Sequence, residues 1–143
     1  MPPRPAADTL DLRALDPAGA DEGRAGERGE TMEIQDLIDE AHGMAVRKGW
    51  HDPDLAQRTF AEECALFHSE ISEALEAYRD GHDPAEMWLG EDGKPEGVPA
   101  ELADVFIRIA DTCGARKIDL VTALRAKLNF NSTRPHRHGG KRV

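Results

Sequence analysis

The chain has 143 residues, which suits one domain, and 39% apolar side chains with only 5% aromatics, so its core must be aliphatic and alanine-rich. The formal net charge of -10 argues against a general nucleic-acid binder, because phosphate backbones are met by Lys and Arg. It leaves open a nucleotide whose phosphates reach the protein through a metal ion.

Residues 1–30 read MPPRPAADTLDLRALDPAGADEGRAGERGE, rich in Pro, Gly, Ala and charge. So few bulky apolar side chains cannot repay the entropy of ordering, and a disordered leader is expected. It has no continuous apolar run of the secretory-signal kind. No segment approaches the roughly 20 apolar residues that cross a bilayer, so no membrane partner is expected. Cys64 and Cys113 form no C-x-x-C pair. They read as buried free thiols in a reducing cytosol, which predicts a cytoplasmic location.

The folded part, residues 31–143, is expected to be helical throughout. Ile34, Leu37, Ile38, Ala41, Met44 and Ala45 repeat at three and four residues, predicting a helix from about Met32 to Lys48 with Gly49 as its stop. Asp52-Pro53-Asp54 reads as the start of a second helix running to Asp80, with Phe60, Cys64, Phe67, Ile71, Ala74 and Tyr78 as its stripe. Such a helix is about 40 Å long. That length predicts packing beyond its own chain. Gly81, Gly90, Gly93, Pro95 and Gly97 then mark a loop, with one helical turn expected at Asp83-Pro84-Ala85-Glu86.

Pro99 opens a third helix striped by Leu102, Val105, Phe106, Ile109 and Cys113. Asp119 caps a fourth, which Pro135 stops. No alternating strand pattern is visible. The expected fold is an all-α, bundle-like domain of four to five helices.

Glu70 and Glu73 sit three apart on the second helix, and Glu101 and Asp104 three apart on the third. That spacing brings side chains about 60° apart in rotation and about 4.5 Å apart in rise, so each pair can aim at one point. Each acid precedes a stripe residue (Ile71, Ala74, Leu102 and Val105 in turn), so both pairs border the apolar face. Two readings follow. The acids form solvated faces, as acidic helices often do. Alternatively, the pairs face each other and need a cation, and Mg²⁺ or Mn²⁺ with oxygen ligands suits them.

The block EISE, followed after 27 residues by ELAD, resembles the E-x-x-E … E-x-x-D pattern of the MazG-like all-α NTP pyrophosphatases. That superfamily also includes dimeric dUTPases and phosphoribosyl-ATP pyrophosphatases. RKGWHD, ALFHSEISEALEAYRDG, ELADVFIRIADTCG and KLNFNSTRPHRHGGKR extend the resemblance over about residues 33–142. Many members carry a further acid immediately before the first of the pair, and here that position is Ser69. Glu76 either compensates or is a solvated acid one turn on.

The resemblance implies Mg²⁺-dependent hydrolysis of a nucleoside triphosphate, in particular a deoxynucleoside triphosphate, between its α and β phosphates. It implies Glu70, Glu73, Glu101 and Asp104 as metal ligands, with Glu73 the first choice of general base. It gives Lys127, Asn131 and Arg134 contacts to phosphate or sugar. Otherwise these three are basic and polar residues complementing a helix C-terminus. Trp50 stacks on the base in this reading, or packs at the edge of the core. Trp88 is a lid residue or a surface-packed one. His68 reads as a packing residue. The family implies a homodimer or homotetramer.

A non-enzymatic helical oligomerisation module and a phosphoribosyl-ATP pyrophosphatase are the competing functions. KGWHD and NFNSTRPHRHGGKR point away from the latter. GEDGK lacks phosphate-loop spacing, and His136 and His138 have no partner cysteines or H-E-x-x-H motif.

Overall fold

The computed structural model describes residues 32–135; the expected leader, His136 and His138 lie outside the described residues. Among the described residues four helices dominate: α1 (Ile34–Arg47), α2 (Phe60–Arg79), α3 (Val98–Arg116) and α4 (Leu120–Ser132). Two short strands, β1 (Trp88–Leu89) and β2 (Pro95–Glu96), pair antiparallel with Trp88 opposite Glu96 and Leu89 opposite Pro95. The chain is therefore mostly helical. Among the described residues, no helix is long and apolar enough to cross a membrane.

Two compact units divide the described chain. One is Ala56–Ile109, which holds α2, both strands and the larger part of α3. The other combines Met32–Leu55 with the chain from Ala110 onward, and holds α1, the end of α3 and α4.

In the first unit α2 starts later than Asp52-Pro53 predicts and is 20 residues long, about 30 Å rather than 40. Asp52, which belongs to the second unit, instead opens a turn: its side chain accepts from the Asp54 backbone N–H at 2.9 Å, and its carbonyl accepts from Leu55 N–H. The true start is Thr59. Its hydroxyl accepts from Glu62 N–H while the Glu62 carboxylate takes the Thr59 N–H at 2.7 Å, a reciprocal capping box. After Gly81, the Glu86 N–H bonds to the Asp83 carbonyl at 2.9 Å, giving the expected turn. The strands form where Gly90 N–H donates to Lys94 O across the turn. Two residues per strand are too few for an alternation to be read.

The second unit keeps α1 close to its expected bounds, with Ile38 and Ala41 buried. Asp119 caps α4 by accepting from Thr122 N–H at 2.9 Å, which also holds its carboxyl below its ordinary value. Cys113 is buried, Cys64 half-buried, and both are free thiols. Burial pushes the Cys113 thiol up. Among the described residues, the buried apolar ones are Ile38, Ala41, Ala110 and Cys113 in this unit and Ala74 and Ala100 in the first, all small or aliphatic as the composition requires.

Candidate metal centre

The inner face of α2 keeps Cys64, Phe67 and Ala74 of the expected stripe but takes Glu70 and Ala77 in place of Ile71 and Tyr78. Glu70 and Ala74 are buried, and Phe67 and Ala77 half-buried, while Ile71 is 48% exposed. On α3, Ala100 and Glu101 are buried and Asp104 half-buried, while Leu102 is 46% exposed. One residue is about 100° of helix rotation. Glu70 and Glu101 therefore sit on the packed face rather than beside it, at 5% and 7% exposure, while Asp104 is half-buried and Glu73 exposed.

Within the first unit, Glu70, Glu101 and Asp104 each offer a carboxylate oxygen, and these atoms lie within 4.8 Å of one another. Arg108, one turn beyond Asp104, donates from Nε to Glu70 Oε1 at 2.5 Å. Glu101 has no such relief. Its Oε2 is buried and finds no hydrogen-bond partner among the described residues. Burial raises its pKa above the ordinary 4.5; Lys94 opposes the shift, and Glu73, Asp104 and Glu70 add to it.

An orphaned buried acceptor beside two further acids is costly unless a proton or a cation meets it. The donor set is all oxygen and fits a hard divalent ion, Mg²⁺ or Mn²⁺. Glu73 is not in the three-acid set. It is exposed, accepts from Ser69 Oγ at 3.5 Å, and lines a neighbouring groove. Glu76 is exposed and paired with Arg79 at 2.9 Å.

That groove, about 320 Å³, is bounded by Glu73, His82, Trp88, Lys94, Glu96 and Glu101. Trp88 stacks on His82 with ring centroids 4.1 Å apart, and its Nε1 donates to Glu96 Oε2 at 2.8 Å. Gly97 makes this approach possible. Its φ is +105°, and a Cβ there would lie 2.7 Å from Trp88 Cζ3. Trp88 is thus a wall of the groove next to the acids, which gives the lid-or-surface alternatives a definite place.

Trp50, Lys127, Asn131 and Arg134 belong to the other unit, and all four are exposed. Arg134 lies over the Phe130 ring, 5.8 Å from its centroid. His68 is exposed, and its carbonyl accepts from Ser72 Oγ. Sequence reasoning missed Arg108 and Lys94. Arg108 lies four residues after Asp104 and seven after Glu101, and that spacing was the available signal. Lys94 comes from a loop and gave none.

No protein-family model, curated protein or solved structure matches the chain. The resemblance to the MazG-like enzymes rests on the sequence blocks quoted above alone.

Proposed function

We propose that this chain is a MazG-like, Mg²⁺-dependent nucleoside triphosphate pyrophosphohydrolase that acts on deoxynucleoside triphosphates in the cytoplasm. The observation that carries the reading is the convergence of Glu70, Glu101 and Asp104 around the orphaned Glu101 oxygen. These three would hold the ion. Once bound, Mg²⁺ or Mn²⁺ supplies charge neutralisation for the phosphates and a more acidic water.

The side chains then divide the remaining work. Glu73, exposed at the groove and not in the three-acid set, is the general base. The oxygen of water bonds to one of the two phosphorus atoms flanking the α–β bridge. The bridging oxygen leaves with the bonding pair, and Glu73 takes the proton. Lys94 in the groove meets phosphate charge. The resemblance assigns phosphate and sugar contacts to Lys127, Asn131 and Arg134, and base stacking to Trp50.

A homodimer or homotetramer is part of the proposal. Phe60, Ile71, Leu75, Tyr78, Leu102 and Phe106 are all exposed in the first unit, Phe106 at 64%. Such an apolar surface suits a second copy.

Incubation with Mg²⁺ and a panel of deoxynucleoside triphosphates, followed by phosphorus NMR, tests the reading. Monophosphate and pyrophosphate in equal amounts are expected. Release of orthophosphate alone, or no turnover of any member, overturns it.

A further inference from the structure

A second cluster lies wholly within the other unit. His42 on α1 places Nδ1 2.9 Å from Asp111 Oδ1, and His51, in the turn after α1, places Nε2 2.7 Å from that same oxygen. The two rings meet edge to face with centroids 4.9 Å apart. We propose that His42, His51 and Asp111 form a binding site for one divalent transition-metal ion of the zinc class, separate from the carboxylate centre.

Three features carry this. The first is the donor set. One ligand atom from each residue falls within 4.8 Å of the other two. Two imidazoles and one carboxylate suit zinc-class ions, whereas Mg²⁺ takes oxygen. In a tetrahedral site with bonds of about 2.0–2.1 Å, ligand atoms stand about 3.3 Å apart, so each nitrogen would recede from the Asp111 oxygen by about 0.5 Å. Both rings must then carry their proton on the other nitrogen, His42 on Nε2 and His51 on Nδ1.

The second is how His42 is seated. Gly114 lies one turn beyond Asp111 on α3, and a Cβ there would be 2.6 Å from His42 Cβ and 2.7 Å from its Cγ. The missing side chain lets this ring settle against the helix that supplies the carboxylate.

The third is access. The side chains of His42, His51 and Asp111 are 29%, 22% and 23% exposed. His42 also borders a cavity of about 340 Å³ shared with Gln35, Asp39 and Lys117. Three protein ligands with a solvent-facing side match zinc sites that keep one position for water or substrate, unlike closed structural sites.

The test is a Zn²⁺ titration of the chelator-treated full chain against a chromophoric competitor, with Co²⁺ absorption as a second readout. One Zn²⁺ per chain is expected. Affinity should fall at least tenfold in His51→Gln and in Asp111→Asn, and stay unchanged in Glu101→Gln and in the double variant His136→Gln, His138→Gln. Circular dichroism checks the fold of each variant, and His51→Gln decides the matter if Asp111→Asn does not fold. The proposal is overturned if the wild type binds no Zn²⁺, if His51→Gln binds as the wild type does, or if only the Glu101 or the His136/His138 variants lose the ion.

Discussion

Arg108 neutralises Glu70 directly, Nε to Oε1, while Glu101 a short distance away keeps a buried oxygen with no hydrogen-bond partner among the described residues. The two acids of one cluster are therefore unequal. Removing Arg108 leaves Glu70 buried and unpaired beside two other carboxyls. Arg108→Ala should cost about 1–3 kcal/mol without metal, less than a fully buried pair because the guanidinium is part-exposed. Saturating Mg²⁺ should recover part of that loss. Urea denaturation with and without Mg²⁺ reads both, and equal losses in the two conditions would contradict the shared-charge account.

Glu101 makes stability depend on pH. Its folded-state pKa lies above its ordinary 4.5. The folded chain thus holds a proton that the unfolded chain releases, and stability falls as pH rises from 4.5 through the folded value. Without metal, Glu101→Gln should melt higher than wild type at pH 7, and the two should converge below pH 4.5. Adding Mg²⁺ at pH 7 should raise the wild-type melting temperature and leave Glu101→Gln where it was. A thermal scan across pH and Mg²⁺ reads every arm. A variant that melts lower than wild type at pH 7 without metal would sink the argument.

Thr59 marks the start of α2. Thr59→Ala removes the hydroxyl that accepts from Glu62 N–H, leaving only the backbone half of the capping box, and should lower stability by about 1 kcal/mol. The exposed Asp54→Ala should change it far less. Parallel urea curves decide this, and a larger effect from Asp54 would restore the earlier helix start.

Gly97→Ala tests the groove wall. The new Cβ would meet Glu86 O at 2.5 Å and the Trp88 ring at 2.7 Å, on a backbone with positive φ. A loss of more than about 1 kcal/mol is expected. The Trp88 fluorescence should shift as well, read in a Trp50→Phe background. An unchanged spectrum and stability would mean that the Trp88 seat is not as described.

Phe106→Asp tests the proposed assembly. Sedimentation of the wild type should give a dimer or tetramer, and the variant should sediment as a smaller species. Monomeric wild type would contradict the proposal.

How much the sequence disclosed follows from physical scale. The helices and the acid spacings were legible, because the 3.6-residue period repeats several times per element. The start of α2 was not, because Asp52-Pro53 and Thr59-x-x-Glu62 are both valid start signals, and only the reciprocal hydrogen bonds choose between them. The expected stripes hold at Cys64, Phe67, Ala74, Val105, Ile109 and Cys113 but not at Ile71 or Leu102. Apolar pattern assigned Ile71 and Leu102 to the core, whereas Glu70 and Glu101 occupy it. A periodicity argument cannot foresee acids on a packed face, since their burial depends on what neutralises them. The strands at Trp88 and Pro95 were too short to show a period. His42, His51 and Asp111 come together across separations of 60 and 69 residues, which no local spacing encodes.

Mn²⁺ binding followed by electron paramagnetic resonance, in a His51→Gln background that silences the histidine cluster, tests the carboxylate centre most directly. One tight Mn²⁺ class, displaced by Mg²⁺ and lost in Glu101→Gln, is the predicted result. Undiminished binding after Glu101→Gln and Asp104→Asn are combined would contradict it.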